Sequence, residues 1–453
     1  MRYPRFGTTR RVLLLGALLL VIPLVLAACG DDDAADDAAD TDADAAEGGD
    51  GPIVYWSMWE QGEPQQQVLQ AAMEEYTDET GVEFDVQWAG REVMSQVVSR
   101  LNAGEPPDLT EQEGGEISGA LDQAGAARGL DHVYDMTIHG EDETIGEVIP
   151  DAYIEGYRTD DDEPYIAPYE VIGSTIWFNA QEHPELADDP PTDWDDFIAL
   201  LDQFQEEGRQ PLALDGDISF YLTYWYTWAA VRHGGPGLLN EAATDESGET
   251  WEDPALLAAA EDIHELIEGG YFVDGFRDTQ WPAQQNAWAS GESELLLMGS
   301  WAPSETAEQS SDDFEYRSMR YPEVDGGAGN DAAEAGVIGF AIPEGAENAE
   351  AAEDFIAYFL NRDRLEPIAS ESLNLTPRED IDVPDQLTDL QEQVLEAVEQ
   401  DAIFEPYDGV DADAPDWNNN VFEEVVAEFF AGEHDPQEFV DEMRDRTASL
   451  YGQ

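Results

Sequence analysis

The sequence predicts an α/β protein of two lobes. From residue 53 onward, short apolar strands alternate with helices, an order that indicates an α/β lobe with a mainly parallel sheet. Beyond the N-terminal segments the chain runs for roughly 400 residues, which exceeds one typical domain. Two hydrophobic cores are therefore expected, and the composition is apolar enough to form both.

The first elements alternate regularly. The apolar run 53–56 predicts a strand, and Pro64 begins the helix that follows, whose apolar residues repeat on one face. Gly81 ends that helix. In 82–88 apolar and polar residues alternate, which predicts a half-buried strand, and the next helix carries apolar residues from Val93 to Leu101.

Later helices are marked by their ends. Residues 192–195 read as a capping box, and Asp253-Pro254 begins a helix that stops at Gly269-Gly270. Asp435-Pro436 begins the last helix. Two further amphipathic helices are predicted at 349–360 and 386–399.

The N-terminus reads as a lipoprotein export signal. Arg10 and Arg11 precede an apolar run, 12–26, that is short for a spanning helix and ends in small residues before Cys29. We expect residues 1–28 to be removed and Cys29, the single cysteine, to carry lipid. The protein would then be extracytoplasmic and anchored to the cell membrane. Both the general and the twin-arginine export routes fit the signal.

An acidic tether follows the cysteine. Residues 29–51 are almost entirely Asp, Ala, Gly and Glu. Such a segment cannot bury enough apolar surface to fold, and its like charges favour an extended chain. We expect it to hold the folded part away from the lipid surface.

The charge balance is extreme. The chain has 104 acidic and 18 basic residues, a net charge of −86, and every basic residue is arginine. In dilute buffer this charge opposes compaction, whereas a Debye length of about 3 Å near 1 M salt screens it. The acidic residues run through every segment, which indicates the protein of a halophile. A surface for cations or a basic partner would instead concentrate them in one block. Nucleic acid is excluded as a partner.

Six stretches resemble one family when read in order. Residues 100–108 are similar to its "Ala-Gly-x-x-Pro-Asp" turn, and residues 191–197 to its "Pro-Thr-Thr-Trp-Asp-Glu-Phe" helix start. The others are 53–56 with 77–82, 168–179, 291–301 and 338–343. Together they resemble the family 1 extracellular solute-binding proteins, the sugar-capturing components of ATP-binding-cassette (ABC) importers.

The resemblance implies a periplasmic-binding-protein (Venus flytrap) fold. Two discontinuous lobes would be joined by hinge strands crossing near 166–172, near 314–322 and after 373. One lobe would comprise 52–167 and 318–368, and the other, mostly helical, 172–312 and 372–453. The protein would be a monomer without cofactor or enzymatic activity that closes on a solute and delivers it to a membrane permease.

A neutral sugar needs flat aromatic rings for its C–H faces and polar partners for its hydroxyls. The resemblance places an aromatic at Trp301, our first candidate for a stacking platform. Aromatics at helical spacing, such as Tyr221, Trp225 and Trp228, fit a core role equally well. The full set of expected ligand-binding residues is Trp59, Glu60, Gln112, Glu113, Tyr169, Trp225, Trp301 and Trp417.

Other function classes are less well supported by the residues. A glycoside hydrolase needs two carboxylates beside a sugar cleft, but in so acidic a chain any such pair can be found. The six histidines show no metal-ligand spacing, and no metal is expected. Arginine is scarce near the proposed loops, which argues against phosphorylated or acidic ligands. The many aromatic residues favour a disaccharide or short oligosaccharide over a monosaccharide. A receptor for another small neutral solute stays open, and a tethered scaffold would not need the aromatic loops.

Overall fold

The computed structural model describes residues 51–159, 161–217 and 219–452. The predicted signal peptide, the lipidation site Cys29 and the tether up to residue 50 lie outside the described residues. Within the described part of the chain, no helix is long and apolar enough to cross a bilayer.

The strands are short and spread along the chain. They are β1 Ile53–Ser57, β2 Phe84–Trp88, β3 Leu109–Glu113, β4 Ala167–Ile172, β5 Ser174–Asn179, β6 Leu212–Ala213, β7 Leu295–Gly299, β8 Tyr316–Met319, β9 Ala333–Glu334, β10 Gly336–Ala341 and β11 Ile403–Phe404.

Helices fill most of the intervals. They are α1 Pro64–Thr80, α2 Val93–Ala103, α3 Gly114–Ile117, α4 Asp131–Tyr134, α5 Ile145–Val148, α6 Pro184–Asp188, α7 Trp194–Glu206, α8 Ser219–Gly234, α9 Leu238–Thr244, α10 Pro254–Gly269, α11 Ala283–Ala289, α12 Ala302–Thr306, α13 Ala349–Phe359, α14 Arg362–Ser370, α15 Thr388–Glu399, α16 Val410–Asp413, α17 Pro415–Trp417, α18 Glu423–Phe430 and α19 Pro436–Tyr451.

Two main sheets organise the chain. The first has the order β2-β1-β3-β10-β4, with β1 parallel to β2 and β3 and with β10 antiparallel to both of its neighbours. The second has the order β6-β7-β5-β8, in which β5 is antiparallel to β7 and β8. The α/β prediction is confirmed, but the first sheet, expected to be mainly parallel, has two parallel pairs and two antiparallel pairs made by β10.

Most of the predicted helix ends are confirmed. Pro64 begins α1, and Gly81 ends it in a left-handed conformation at φ 81°, which a residue without a Cβ adopts at little cost. Asp253 caps α10 and Gly270 ends it. The predicted capping box at 192–195 is wrong, because Asp193 is the residue whose carboxylate accepts the Asp196 N–H at 2.9 Å.

The chain passes between the sheets at Gly173, which separates β4 from β5. A Cβ there would lie 2.6 Å from the carbonyl oxygen of Glu334, so this position needs glycine. The chain leaves the second sheet after β8 and rejoins the first at β10. Leu375 then forms an isolated bridge with Val171. The lobe boundaries drawn from the sequence stay a prediction.

Candidate functional site

A cavity of about 650 Å³ lies where strands of both sheets end. Strands β1 and β3 pair in parallel, so their carboxyl ends meet at one edge of the sheet. Residues at and after these ends contribute to the cavity wall. The end of β7 contributes from the second sheet. The lining residues include Met58, Trp59, Glu63, Gln65, Arg91, Gln112, Glu113, Glu170, Trp301, Glu305, Ser372 and Asn374.

A larger groove of about 950 Å³ runs over the surface near 140–151, 361–363 and 378–380. Among the residues that the structure describes, its lining is mainly acidic and holds no aromatic ring. The smaller cavity offers both rings and buried polar atoms, which is the usual make-up of a small-molecule site. We therefore place the candidate site there.

Trp59 is fixed in the wall by its polar end. Its indole N–H donates to the hydroxyl of Tyr169 at 2.8 Å, and only 5% of its side chain is exposed. Tyr169 is fully buried and packs against Phe340, with 4.8 Å between the ring centroids. Tyr169 therefore supports the wall from behind and does not itself line the cavity.

Arg91 covers the ring of Trp59. Its guanidinium carbon lies 4.6 Å from the ring centroid, an arrangement in which the cation is attracted to the ring face. The same group donates to both carboxylate oxygens of Glu63 and to the carbonyl of Met58. Gln112 in turn donates its side-chain amide to the Arg91 carbonyl at 2.8 Å. The charge of Arg91 is thus paired within the wall.

Glu170 brings a buried carboxyl group to the cavity. One of its oxygens accepts from the side-chain amides of Gln65 at 3.3 Å and Asn374 at 2.5 Å. Burial raises the pKa of Glu170 to about 7, although these two hydrogen bonds favour its charged form. Among the described residues, the other Glu170 oxygen has no partner, nor do Asn374 Oδ1 and Ser372 Oγ.

Trp301 enters from the second sheet. It follows β7 and directly precedes the short helix α12. A Cβ placed on Gly299 would lie within 2.3–2.6 Å of three atoms of the six-membered part of the indole, so that part of the ring lies directly over Gly299. Trp301 is half-buried and more accessible than Trp59.

The cavity is strongly acidic. In the described part of the chain, six glutamates line it against the single guanidinium of Arg91, and they are Glu63, Glu92, Glu113, Glu116, Glu170 and Glu305. Burial, followed by the nearby Asp411 and Glu334 carboxylates, raises the pKa of Glu113 well above its usual range. Among the described residues, the lining offers an anion no unpaired cation.

The comparison with known sequences assigns the chain to a family. The sequence profile described as bacterial extracellular solute-binding protein matches residues 27–363. This chain belongs to that family. The predicted resemblance is therefore confirmed over most of the chain.

Curated relatives of this solute-binding protein are distant. One from Brucella melitensis, named "Probable sugar-binding periplasmic protein", is 27% identical over 241 residues, which are 52% of this chain and 54% of the relative. The "Diacetylchitobiose binding protein NgcE" of Streptomyces coelicolor is 22% identical over 228 residues, 49% of this chain and 47% of the relative. The chain spans about half the length of the curated relatives it matches.

Solved structures share the architecture. The bacterial solute receptor AcbH, described with an exclusive preference for b-D-galactopyranose, aligns at a TM-score of 0.73 and 18% identity over 89% of this chain and 100% of that one. RafE in complex with raffinose aligns at 0.66 and 17% identity over 88% of this chain and 99% of that one. At these identities the likeness shows the fold. It is the two-lobe α/β fold of solute-binding proteins.

The expected site residues of this solute-binding protein fall into three groups. Trp59, Gln112, Glu113 and Trp301 line the cavity, and Tyr169 stands behind Trp59. Glu60 is exposed and outside the lining. Trp225 and Trp417 lie in the hydrophobic core, where Trp225 packs on Phe272 and Trp417 donates to Thr447. We do not include these last three in the candidate site.

Sequence reasoning missed several lining residues. Tyr169 is the predicted residue, but successive side chains of a strand point to opposite faces, and its neighbour Glu170 is the one that lines the cavity. Alternation within β4 was the available signal. Arg91 is also absent from the predicted residues. Because Glu63 pairs its charge, the expectation that the site does not favour anionic ligands is unchanged. For Ser372 and Asn374, which lie in a loop far along the chain, no local pattern pointed to the site.

One acidic cluster has the spacing of metal ligands. Ligand atoms of Glu182, His183 and Glu294 lie within 4.8 Å of one another. The Arg209 guanidinium donates to the same Glu294 oxygen at 2.8 Å that the His183 ring contacts at 2.6 Å. A protein cation already lies among these atoms. We therefore interpret the cluster as an ion-pair network of the second sheet.

Proposed function

We propose that this protein is a lipid-anchored, extracytoplasmic receptor that captures a neutral disaccharide or oligosaccharide and delivers it to the permease of an ABC importer. One observation carries the proposal. Unpartnered acceptors of Glu170, Asn374 and Ser372 lie in one cavity with the indole rings of Trp59 and Trp301. Sugar hydroxyls supply the missing donors, and sugar C–H faces match the rings.

The charge of the cavity supports a neutral ligand. Of the residues described, six lining residues carry carboxyl groups, and the single lining arginine is held by Glu63. A phosphorylated or acidic sugar would lose its hydration without gaining a free cation. A neutral sugar loses only hydroxyl hydration, which the buried acceptors replace.

The relatives support the same class of ligand. Curated proteins that match half of this chain carry names that refer to sugar or diacetylchitobiose binding. The structural neighbours include receptors described with galactopyranose and raffinose. A cavity of about 650 Å³ lies within the usual size range of small-ligand sites, roughly 300–1,000 Å³.

A melting screen tests the ligand class. The purified protein in molar salt is melted with galactose, raffinose, xylo-oligosaccharides and chito-oligosaccharides, because a ligand that binds only the folded state raises the melting temperature. At least one neutral sugar should raise it, and closure of two lobes should make the bound protein more compact in small-angle scattering. A flat result across the panel would refute the sugar-receptor proposal.

Incubation with a labelled oligosaccharide separates the receptor from the rival hydrolase. The receptor retains the sugar intact, whereas two suitably spaced cavity carboxylates would turn it over. Retention of intact sugar over many binding cycles supports the proposal, and release of shorter products would overturn it.

Anchoring is tested separately. If Cys29 carries the lipid, Cys29→Ser should release the protein from the membrane fraction, because the signal offers no other thiol. The matched control is the wild-type protein treated identically, which should remain with the membrane. Unchanged retention of the variant would contradict the lipid anchor and leave the ligand proposal untouched.

A further inference from the structure

Three buried acceptors of the candidate cavity lack a hydrogen-bond donor. They are Oε2 of Glu170, Oδ1 of Asn374 and Oγ of Ser372, and all three residues line the cavity. Each residue is at most 4% exposed, and none of the three atoms has a partner among the described residues. Buried polar atoms without partners are costly, so this wall favours a ligand that brings donors.

The chemistry of Glu170 fixes the orientation of its neighbours. An ionised carboxylate only accepts hydrogen bonds. Asn374 therefore turns its amide N–H group to Oε1 of Glu170, at 2.5 Å, and Gln65 donates to the same oxygen at 3.3 Å. The atoms left over are Oδ1 of Asn374 and Oε2 of Glu170, and in this state both can only accept.

The charge of Glu170 is not paired within the wall. In the described part of the chain its hydrogen-bond donors are the two neutral amides, while the Arg91 guanidinium donates to Glu63 and to the carbonyl of Met58. Arg91 and Glu63 act on the Glu170 carboxyl in opposite directions, and burial raises its pKa to about 7. A positive charge brought by a ligand would stabilise the ionised form.

An ammonium group matches this wall better than a hydroxyl does. It carries a positive charge and three N–H donors, as many as the wall has unpartnered acceptors, whereas a hydroxyl brings one donor and lone pairs of its own. Hydrogen bonds between an ammonium group and a carboxylate are also roughly twice as strong as those between neutral groups. The rings of Trp59 and Trp301 in the same lining suit the sugar that would carry the amine.

A bare metal ion matches the wall less well. Among the described residues, the acidic group whose ligand atoms lie within 4.8 Å of one another is Glu182, His183 and Glu294, and none of these lines the cavity. The carboxylates of the lining are thus not gathered as metal ligands. The charge complement we expect is therefore a cation that bonds through its own N–H groups.

We propose that Glu170, Asn374 and Ser372, together called the ammonium pocket, bind the protonated amino group of an amino sugar. This rests on the proposed function and extends its ligand class. Neutral sugars bind through the rings and acceptors of the cavity, and a sugar with a free amine binds more tightly than its neutral counterpart. N-acetylation removes the charge and leaves a single N–H donor, so the pocket should distinguish a free amine from an acetamide.

Titration calorimetry with matched disaccharides tests the pocket, in molar salt that screens the overall charge of the protein. One set is cellobiose, diacetylchitobiose and chitobiose, which carry a hydroxyl, an acetamide and a free amine at carbon 2 of the same scaffold. A second set carries the hydroxyl or the free amine at carbon 6. At least one free amine should bind roughly ten-fold more tightly than its hydroxyl parent.

Glu170→Gln keeps the size of the side chain but cannot carry the charge, so it should abolish the preference for the amine. Glu79→Gln is the matched control, since it removes one charge from an exposed residue outside the lining and should retain the preference. Equal loss of the preference in both variants would refute the pocket, because the overall charge of the protein would then attract the amine.

The outcomes separate this inference from the proposed function. If the neutral parents bind and no free amine binds more tightly, the ammonium pocket is refuted and the sugar receptor stands. If the amines bind and the neutral parents do not, the neutral-ligand proposal is refuted and the pocket stands. If neither set binds at all, both are refuted.

Discussion

Trp59 and Tyr169 are joined by a hydrogen bond of 2.8 Å that ties the cavity wall to the core of the first sheet. The bond crosses from the loop after β1 to the middle of β4, and both side chains are buried. The position of the Trp59 ring therefore depends on an atom that no ligand is expected to reach.

Removal of that atom is the first prediction. Tyr169→Phe leaves the buried indole N–H without its acceptor, and we expect the free energy of unfolding to fall by about 1–3 kcal/mol. Sugar affinity should fall as well, because the Trp59 ring is no longer fixed. Denaturant melts measure the free energy of unfolding, and titration calorimetry measures the affinity. Tyr76→Phe is the control: its hydroxyl bonds Asp354 outside the cavity lining, so it should affect stability without affecting affinity.

Trp301→Ala tests the stacking platform. A stacked ring contact contributes on the order of 1–3 kcal/mol to the binding free energy, so its loss should weaken binding by roughly ten-fold or more. The melting temperature of the free protein should change little, since the ring is half-buried.

Trp225→Ala is the matched control for Trp301→Ala. Trp225 is 1% exposed and packs on Phe272 and Tyr321 in the core. The Trp225→Ala substitution should lower the free energy of unfolding by about 3–5 kcal/mol. If Trp301→Ala destabilises the protein as much as Trp225→Ala, or if it binds sugar like wild type, Trp301 is not the platform.

Glu170 predicts a pH dependence of binding. Its pKa is raised to about 7 by burial, so the carboxyl group ionises as pH rises through neutrality. The charged form accepts hydroxyl hydrogen bonds more strongly, and affinity should rise between about pH 6 and pH 8. Glu170→Gln should bind more weakly at high pH and show a flat profile. A wild-type profile without that rise would show that Glu170 does not contact the ligand.

Two other buried glutamates predict a pH dependence of stability. Burial raises the pKa of both Glu111 and Glu334 to about 8. The folded state binds these protons more tightly than the unfolded chain does. The contribution of the two groups to the free energy of unfolding is therefore fully present below about pH 4 and is lost as the pH rises toward 8. In molar salt, the free energy of unfolding should therefore decrease from pH 5 to pH 8.5.

Glu334→Gln should reduce that slope, since the amide stays neutral. The exposed Glu79→Gln removes the same charge from the surface and should leave the slope unchanged. Identical slopes in the two variants would mean that surface repulsion, and not burial, governs the pH dependence.

Salt should stabilise the whole protein. The net charge of −86 is repulsive in dilute buffer and is screened at molar concentration. We expect the melting temperature to rise steeply between low and molar potassium chloride. Potassium chloride should act like sodium chloride if screening is the cause, and a melt that does not change with salt would contradict it.

The sequence predicted the framework better than the site. Pro64 and Gly81 act through their own backbones, and the Asp253 carboxylate accepts the N–H of Ala255 two residues on, so local pattern was sufficient to place these helix ends. Capping at Asp193 instead of at Thr192 depended on a choice between adjacent residues that only the chain geometry makes.

Burial of aromatics could not be predicted in the same way. Trp301 and Trp417 are both predicted ligand-binding residues, yet one lines the cavity and the other donates to Thr447 inside the core. Which of them meets solvent depends on how distant segments pack. Asn374 reaches Glu170 from about 200 residues away, and local periodicity contains no information about such a contact.

Gly299 leaves one face of the Trp301 ring accessible to a ligand. The indole of Trp301 rests with one side on the backbone of this glycine, so only the opposite side is free for a ligand. The two sides of a pyranose are not equivalent, because an axial hydroxyl projects from one of them and disrupts contact with an aromatic surface. A ring that can be approached from one direction only should therefore distinguish epimers, and glucose-type and galactose-type units should not be interchangeable at this position.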